Sequence, residues 1–449
     1  MDLFGAGDVG ERLGVDDGRA ARRLADLHRR EIRHVFARFE LRRAVYGSRA
    51  GQAIEAVPLD ERLRLPPGKN SYLLQDGDQE MAMEKPFVHV STCLSRILGF
   101  RQSVHTLERA QHAMAKAVEA LWAQRPVPPA EQEGKILVCT ADGKAVPRRG
   151  TATTPEGAAP PTTGGRRPGT KKMARLGSVY SVDPFMRTPG EVLAALFRDA
   201  PRAPPPARPR PCFQHVRAAL QRDELESTAP QVDTLFGWMA AQVRQRHGEG
   251  ERPIGLLMDG QELLWRAGRE HLPDALADIT EILDLLHATS SLWEAAYRFH
   301  PTGSDAACDF VKAQTPPMRN GEIAPVIHSL RWLGTPHKLK GKRRDELERI
   351  CGDFNHNAHR MAYAVYREHG LPIASGVSEG ACRCVVKDRL ERSGMRWVMS
   401  GARAMLDLRC IHLSNLWEEL ITFRIQRESQ RLYPGSAAND ADFSQPLAA

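Results

Sequence analysis

The sequence predicts an α/β protein, and three observations carry that expectation. Apolar runs of strand length, at 135–141, 174–182, 254–258 and 279–283, alternate with stretches of helical periodicity. Residues 82–122 and 289–368, flanking that alternation, repeat their apolar positions at helical spacing. The length, 449 residues with 42% hydrophobic content, exceeds what one core holds and suffices for two or three domains.

Taken in order, residues 1–16 read as a loose tail. Ala21, Leu24, Leu27, Ile32, Val35 and Phe36 recur at roughly helical spacing, so a helix is expected over 17–38. From 41 to 65 the pattern is broken by Gly47, Gly51, Pro58, Pro66 and Pro67, which suits a hairpin or irregular linker. Over 82–122 one helix spans Phe87 to Leu98. Gly99 ends it, and Ser103 caps the next, whose apolar face runs through Val104, Leu107, Ala110, Met114 and Leu121. Arg109 and Gln111 lie on its polar side. The arrangement is compatible with a helix-turn-helix, although any helical hairpin gives the same pattern.

After a linker at 126–132 the texture changes to strands. Residues 151–170 are a low-complexity Thr/Pro/Gly/Ala loop, and 201–211 holds six prolines, too many for regular structure. Helices are expected around Gln214–Ala219 and over 231–246 and 261–270, interleaved with the strands at 254–258 and 279–283.

Several function classes drop out. There is no apolar run of about 18 residues for a spanning helix. The start, MDLFGAGDVGERLG, lacks the basic-then-apolar pattern of a secretory signal, so a cytoplasmic protein is expected. The eight cysteines form no C-x-x-C pair, which argues against a zinc ribbon or a disulfide framework. The net charge, 63 Lys+Arg against 55 Asp+Glu, is a modest +8, but its distribution is uneven. Basic residues cluster at 144–175, at 338–344 and through Arg383, Lys387, Arg389, Arg392 and Arg396. Each cluster alone suits a solvated surface; three together suit a polyanion, because neutralised phosphates release counterions.

Carboxylates gather at strand ends. Two strands run into Asp142-Gly143 and Asp259-Gly260, and a third ends at Asp284 with His287 three residues on. In open α/β sheets functional groups collect at the carboxyl ends of strands. Carboxylates brought together there repel unless a cation sits among them, and hard Mg²⁺ or Mn²⁺ prefers such oxygen ligands. Asp-Gly is equally a common turn dipeptide. A further acid, Glu379, follows Ser378 near the start of a helix expected to run to about Arg392. Ser378 would be its N-cap, and the helix dipole favours a carboxylate in the first turn. Arg383 and Lys387, at i+4 and i+8, share the face of Glu379. Arg396 stands beside Trp397, a cation next to an aromatic that could stack on an unpaired base.

The runs Val138-Cys-Thr-Ala-Asp142-Gly-Lys, Leu257-Met-Asp259-Gly-Gln-Glu-Leu-Leu-Trp265, Ile282-Leu-Asp-Leu-Leu-His287, Pro372-Ile-Ala-Ser-Gly-Val-Ser-Glu379-Gly-Ala-Cys-Arg383 and Lys387-Asp-Arg-Leu-Glu-Arg-Ser-Gly-Met-Arg-Trp397 together resemble the ISKra-type insertion-sequence transposases. The resemblance covers most of the chain from about Pro58 to Pro434. It implies a DDE transposase with a ribonuclease H-like catalytic core, in which Asp142, Asp259 and Glu379 hold two Mg²⁺ or Mn²⁺ ions. Asp284 rivals Asp259, which is preferred because the second acid of that fold follows the fourth strand. Lys144, Arg383, Lys387, Arg396 and Trp397 would contact DNA. The implied partners are double-stranded DNA (element terminal inverted repeats and target) and further copies of the chain, with no membrane; the implied setting is the bacterial cytoplasm, at the nucleoid. Some relatives carry a cysteine-rich finger near the N-terminus, whereas residues 1–92 here contain no Cys.

The expected organisation is an N-terminal helical, helix-turn-helix-like region (1–125), a first core segment (126–288, with loops at 147–172 and 200–211), a mostly helical insertion domain (289–370), a core segment carrying the Glu379 helix (371–434), and a disordered tail (435–449). Two other classes compete. One is a non-catalytic DNA-binding regulator or decayed transposase. The other is a stand-alone ribonuclease H-like nuclease that hydrolyses strands without joining them.

Overall fold

The computed structural model describes residues 5–14, 20–47, 54–147, 171–197, 207–220, 231–247, 252–272, 279–374, 376–392 and 395–434. The loop expected at 151–170 and the tail at 435–449 lie outside the described residues. The chain divides into two units, one of Met1–Arg125 with Asp407–Ala449 and one of Pro126–Leu406. The segment from Asp407 onward, expected in the core, therefore belongs with the N-terminal residues. Among the described residues no helix is long and apolar enough to cross a membrane.

The first unit opens with strands. The helix expected over 17–38 is replaced by β1 (Arg12–Gly14), β2 (Ala20–Arg23), β3 (His28–Arg33), β4 (Arg38–Arg43) and β5 (Tyr46–Gly47). β1, β2 and β5 form one antiparallel sheet, and β3 and β4 form a hairpin pairing His28 with Arg43 through Arg33 with Arg38. The period-2 pattern was masked because Arg30 and Arg43 occupy the same side of the hairpin as Ile32 and Leu41. Buried Asp60 pairs with both guanidiniums, so they are tolerated there. Phe36, counted towards the helical face, is 83% exposed beyond the end of β3.

The helical part follows as α1 (Pro58–Arg62), α2 (Tyr72–Glu84), α3 (Phe87–Leu98), α4 (Val104–Ala115) and α5 (Val118–Gln124). Gly99 ends α3 at φ 69°, a conformation that glycine adopts without penalty, and the Ser103 hydroxyl caps α4 by accepting from Thr106 N.

The second unit is built on a five-stranded sheet: β6 (Ile136–Pro147), β7 (Lys171–Val182), β8 (Cys212–Leu220), β9 (Ile254–Met258) and β10 (Ile279–Leu283), in spatial order β10-β9-β6-β7-β8. β7 runs antiparallel to β6 and to β8, while β9 and β10 run parallel to β6. The helix expected at Gln214–Ala219 is thus strand β8. Its alanines and glutamine favour helix, but pairing with β7 overrides local propensity.

Interleaved with these strands are α6 (Pro189–Phe197), α7 (Gln231–Arg246) and α8 (Glu262–His271). α7 covers β7 and β8, and Gly177 of β7 admits it: a Cβ there would lie 2.7 Å from Met239 Sδ. The stretch after β10 is helical, as the periodicity predicts: α9 (Leu285–Phe299), α10 (Asp305–Arg319), α11 (Ile323–Gly334), α12 (Lys342–Asn357) and α13 (Tyr363–Glu368). Buried Arg360 ties this layer to the sheet. Its Nε donates to Glu281 of β10 at 2.6 Å, and its guanidinium lies 4.2 Å from the Trp265 ring of α8. Then come α14 (Gly376–Cys382), a π-helical turn (Arg383–Lys387), α15 (Asp388–Leu390) and α16 (Met399–Leu413). α17 (Trp417–Leu432), in the first unit, packs on α5.

A candidate carboxylate site at the sheet end

The site is set by register. Ala141 of β6, Met258 of β9 and Leu283 of β10 lie on one rung of the parallel sheet, and the next residue of each strand is Asp142, Asp259 and Asp284. Asp142 was expected at a strand end. It instead lies within β6, which continues to Pro147 as a long antiparallel ribbon with β7; what ends at Ala141 is the parallel pairing with β9. Neither Asp-Gly pair forms a hairpin turn. Asp142 pairs across from Leu176, so it faces away from α7, whose side of β7 is marked by Gly177.

Both glycines are needed for close approach. A Cβ on Gly143 would lie 2.8 Å from Arg175 Nη1, and one on Gly260 would lie 3.2 Å from His287 Nε2. Their absence lets a cation and an imidazole come close enough to act on Asp259. Arg175 is steadied by donating to Gln261 Oε1 at 2.5 Å. Asp142 Oδ1 accepts from Gly143 N at 2.5 Å, and Asp259 Oδ1 accepts from Gln261 N at 3.0 Å.

Burial raises the Asp259 carboxyl above the ordinary carboxylate value, and the negative charge of Asp142 pushes it further; the Gln261 amide, His287 and Arg175 oppose this. Asp259 therefore senses the charge of Asp142, both being half-buried. The Cys382 thiol is likewise pushed up, by burial first and then by Asp142, to which it is hydrogen-bonded; Lys144 pulls the other way. Cys382 ends α14, which packs on β6 and β7. Glu379 lies in that helix, one turn before Cys382. Ser378, expected as the cap, is the third residue of α14 rather than its boundary.

Asp284 is committed differently. It is 7% exposed, and its carboxylate caps α9 by accepting from Leu286 N at 2.7 Å. The structure thus brings Asp142 and Asp259 together, sets the Glu379 helix on the strand that carries Asp142, and employs Asp284 at a helix end. Among the described residues no group of three His, Cys, Asp or Glu is arranged to hold a metal ion.

The expected DNA contacts divide. Lys144 is half-buried two residues beyond Asp142, on the same face of β6. Arg383 and Lys387 are exposed, and a π-helical turn runs from one to the other. Arg383 lies 3.8 Å from Asp388. Arg396 is exposed. Trp397 cannot act as a free base-stacking surface: it is buried, its Nε1 donates to Leu390 O at 3.2 Å, and the Arg389 guanidinium covers its ring at 5.0 Å. Sequence reasoning missed Arg175, Gln261 and Cys382, which only the pairing of β6 with β7 and the docking of α14 bring to the site. Compared with known proteins, the chain matches no family model and no curated protein.

Proposed function

We propose that the protein is a DNA transposase of the DDE type, using Asp142, Asp259 and Glu379. One observation carries the reading: Asp142 and Asp259, on adjacent parallel strands, follow the same rung, and the charge of Asp142 acts on Asp259. The strand order, with three antiparallel strands followed by two parallel to the first, supports a ribonuclease H-like core. The motif resemblance to ISKra-type transposases points the same way.

An all-oxygen donor set in which one carboxylate raises the other's pKa suits hard divalent cations. Asp142 and Asp259 would hold Mg²⁺ or Mn²⁺, with Glu379 as the third acid. Bound there, two such ions would supply Lewis acidity at phosphorus and at the leaving oxygen, and would lower the pKa of the attacking water or 3′-hydroxyl. Arg175, held by Gln261, keeps positive charge close enough to act on Asp259. Lys144, on the Asp142 face, is placed to hold a phosphate oxygen of the strand being cut. His287 at Gly260 offers an imidazole within reach of Asp259. Water first attacks the phosphorus at the element end, breaking its P–O3′ bond to leave a 3′-hydroxyl and a 5′-phosphate; that 3′-hydroxyl then attacks a phosphorus of target DNA, forming a new phosphodiester and releasing the target's own 3′-hydroxyl.

The test is a labelled duplex carrying the DNA that flanks the reading frame, incubated with Mg²⁺. The expected result is strand cleavage followed by joining to a second duplex, both lost in Asp142→Asn, Asp259→Asn and Glu379→Gln while DNA binding persists. Cleavage without joining would make it a nuclease, and binding without either would make it a regulator. Joining by Asp259→Asn but not by Asp284→Asn would transfer the second role to Asp284.

A further inference from the structure

The second unit holds a cavity of about 480 Å³ that is lined by neither Asp142 nor Asp259 and that reaches Gly376 at the start of α14. It lies at the far end of β7, with Tyr180 and Val182 in one wall and Leu371 and Pro372 in another. Val182 pairs with Ile136, six residues along β7 from the Leu176–Asp142 pair, a separation of roughly 20 Å at about 3.4 Å per residue. Its volume falls within the range of about 300–1,000 Å³ usual for small-molecule sites.

The cavity is strongly cationic. Arg187, Arg208 and Arg210 line it. Burial lowers the Arg187 pKa, and the charges of Arg208 and Arg367 lower it further; Arg367 acts in the same way on Arg319. Two carboxylates face this group, Asp183 in the lining and Glu191 acting on Arg187 from nearby, and the three lining arginines outnumber them. Asp183 accepts from Lys135 N at 3.3 Å, and Glu191, close enough to act on Arg187, accepts from Thr188 N at 2.7 Å. Buried guanidinium nitrogens remain unmatched: among the described residues Arg187 Nε, Arg367 Nη1 and Arg319 Nε have no hydrogen-bond partner. Like charges held together with unmet buried donors oppose folding, so their retention calls for an anion. A guanidinium fork fits the paired oxygens of a phosphate better than it fits a halide. Phe185, 5.7 Å from the Arg187 guanidinium, supports that fork, and the apolar walls leave room for more than the phosphate alone.

We infer that this cavity binds a phosphate group, with Arg187 as its central donor, Arg208 and Arg210 lining the space beside it, and Arg367 adding charge close enough to act on Arg187. The phosphate belongs either to a free nucleotide or to the end of a nucleic-acid strand; the chemistry recognised is the same. The inference stands on the cavity and its arginines and does not depend on the carboxylate site.

The experiment uses the full chain and four probes: inorganic phosphate, a nucleoside monophosphate, and one single-stranded oligonucleotide with and without a 5′-phosphate, at matched chloride. Phosphate is expected to raise the melting temperature of the wild type and not that of Arg187→Gln. In phosphate-free buffer Arg187→Gln and Arg367→Gln should melt higher than the wild type, because repulsion is relieved. Affinity for the preferred probe should fall at least tenfold in Arg187→Gln and in Arg208→Gln, the latter an exposed position where folding is not at risk. Tighter binding of the 5′-phosphorylated strand identifies a strand end as the source, and preference for the monophosphate identifies a free nucleotide. Binding that is absent in the wild type, or equal in wild type and both variants, overturns the inference. Asp142→Asn should bind phosphate as the wild type does, so this test and that of the carboxylate site fail independently.

Discussion

Asp259 and Asp78 are both carboxylates withdrawn from water, one in each unit, and they are managed in opposite ways. Asp78 in α2 is fully buried and sealed in a network: Gln79 Nε2 donates to one oxygen at 2.9 Å and Gln102 Nε2 to the other at 3.0 Å. Burial pushes it up to about 7; the two glutamine amides and Arg424 oppose this, and the charge of Asp76 adds only the smallest contribution. Asp259 is half-buried, bonded on one oxygen by a backbone amide, and pressed by the charge of Asp142. A buried acid whose oxygens are both satisfied holds structure together. A pair whose charges compete leaves room for a cation.

That contrast is open to attack at several points, the largest expected effect first. Asp142→Asn and Asp259→Asn should each cut metal-dependent strand cleavage by roughly 10²–10³-fold or more. Asp78→Asn should leave cleavage rates unchanged, and a loss there would erase the distinction. For stability the order reverses. The folded pKa of Asp78 is raised, so its contribution is complete below about pH 4 and is lost as pH rises through about 7. Between pH 5 and 8 the wild type should lose on the order of 2–3 kcal/mol that Asp78→Asn does not lose, read from urea midpoints at each pH. Asp284→Ala removes a helix cap and should cost about 1 kcal/mol while sparing most of the activity; the reverse result would promote Asp284 to the site. Finally, millimolar Mg²⁺ or Mn²⁺ should raise the melting temperature of the wild type by a few degrees and leave that of Asp142→Asn unmoved, because only a ligand that prefers the folded state stabilises it.

Much of this was readable in the residues. The helix over 231–246 and the strands at 254–258 and 279–283 appear where periodicity and β-branched content place them, since long or wholly apolar elements announce themselves. Gly99 and Ser103 marked a helix end and a helix start because each does a local job. The failures share one cause. Strands β3 and β4 hid behind Arg30 and Arg43, whose place in the hairpin depends on Asp60, distant in sequence. β8 looked helical until its partner β7 claimed it. Trp397 looked available until Leu390 and Arg389 closed over it.

By itself the sequence determined which residues carry charge, where strands could end in an acid, and that glycine follows two of those acids. Local chemistry suffices for that, because backbone freedom and the type of side chain belong to each residue. Only the tertiary structure decided that Asp142 and Asp259 follow one rung, that Asp284 caps a helix, that a π-helical turn runs from Arg383 to Lys387, and that three arginines line one cavity. Register and burial are relations between segments far apart along the chain, and no short stretch of sequence contains them.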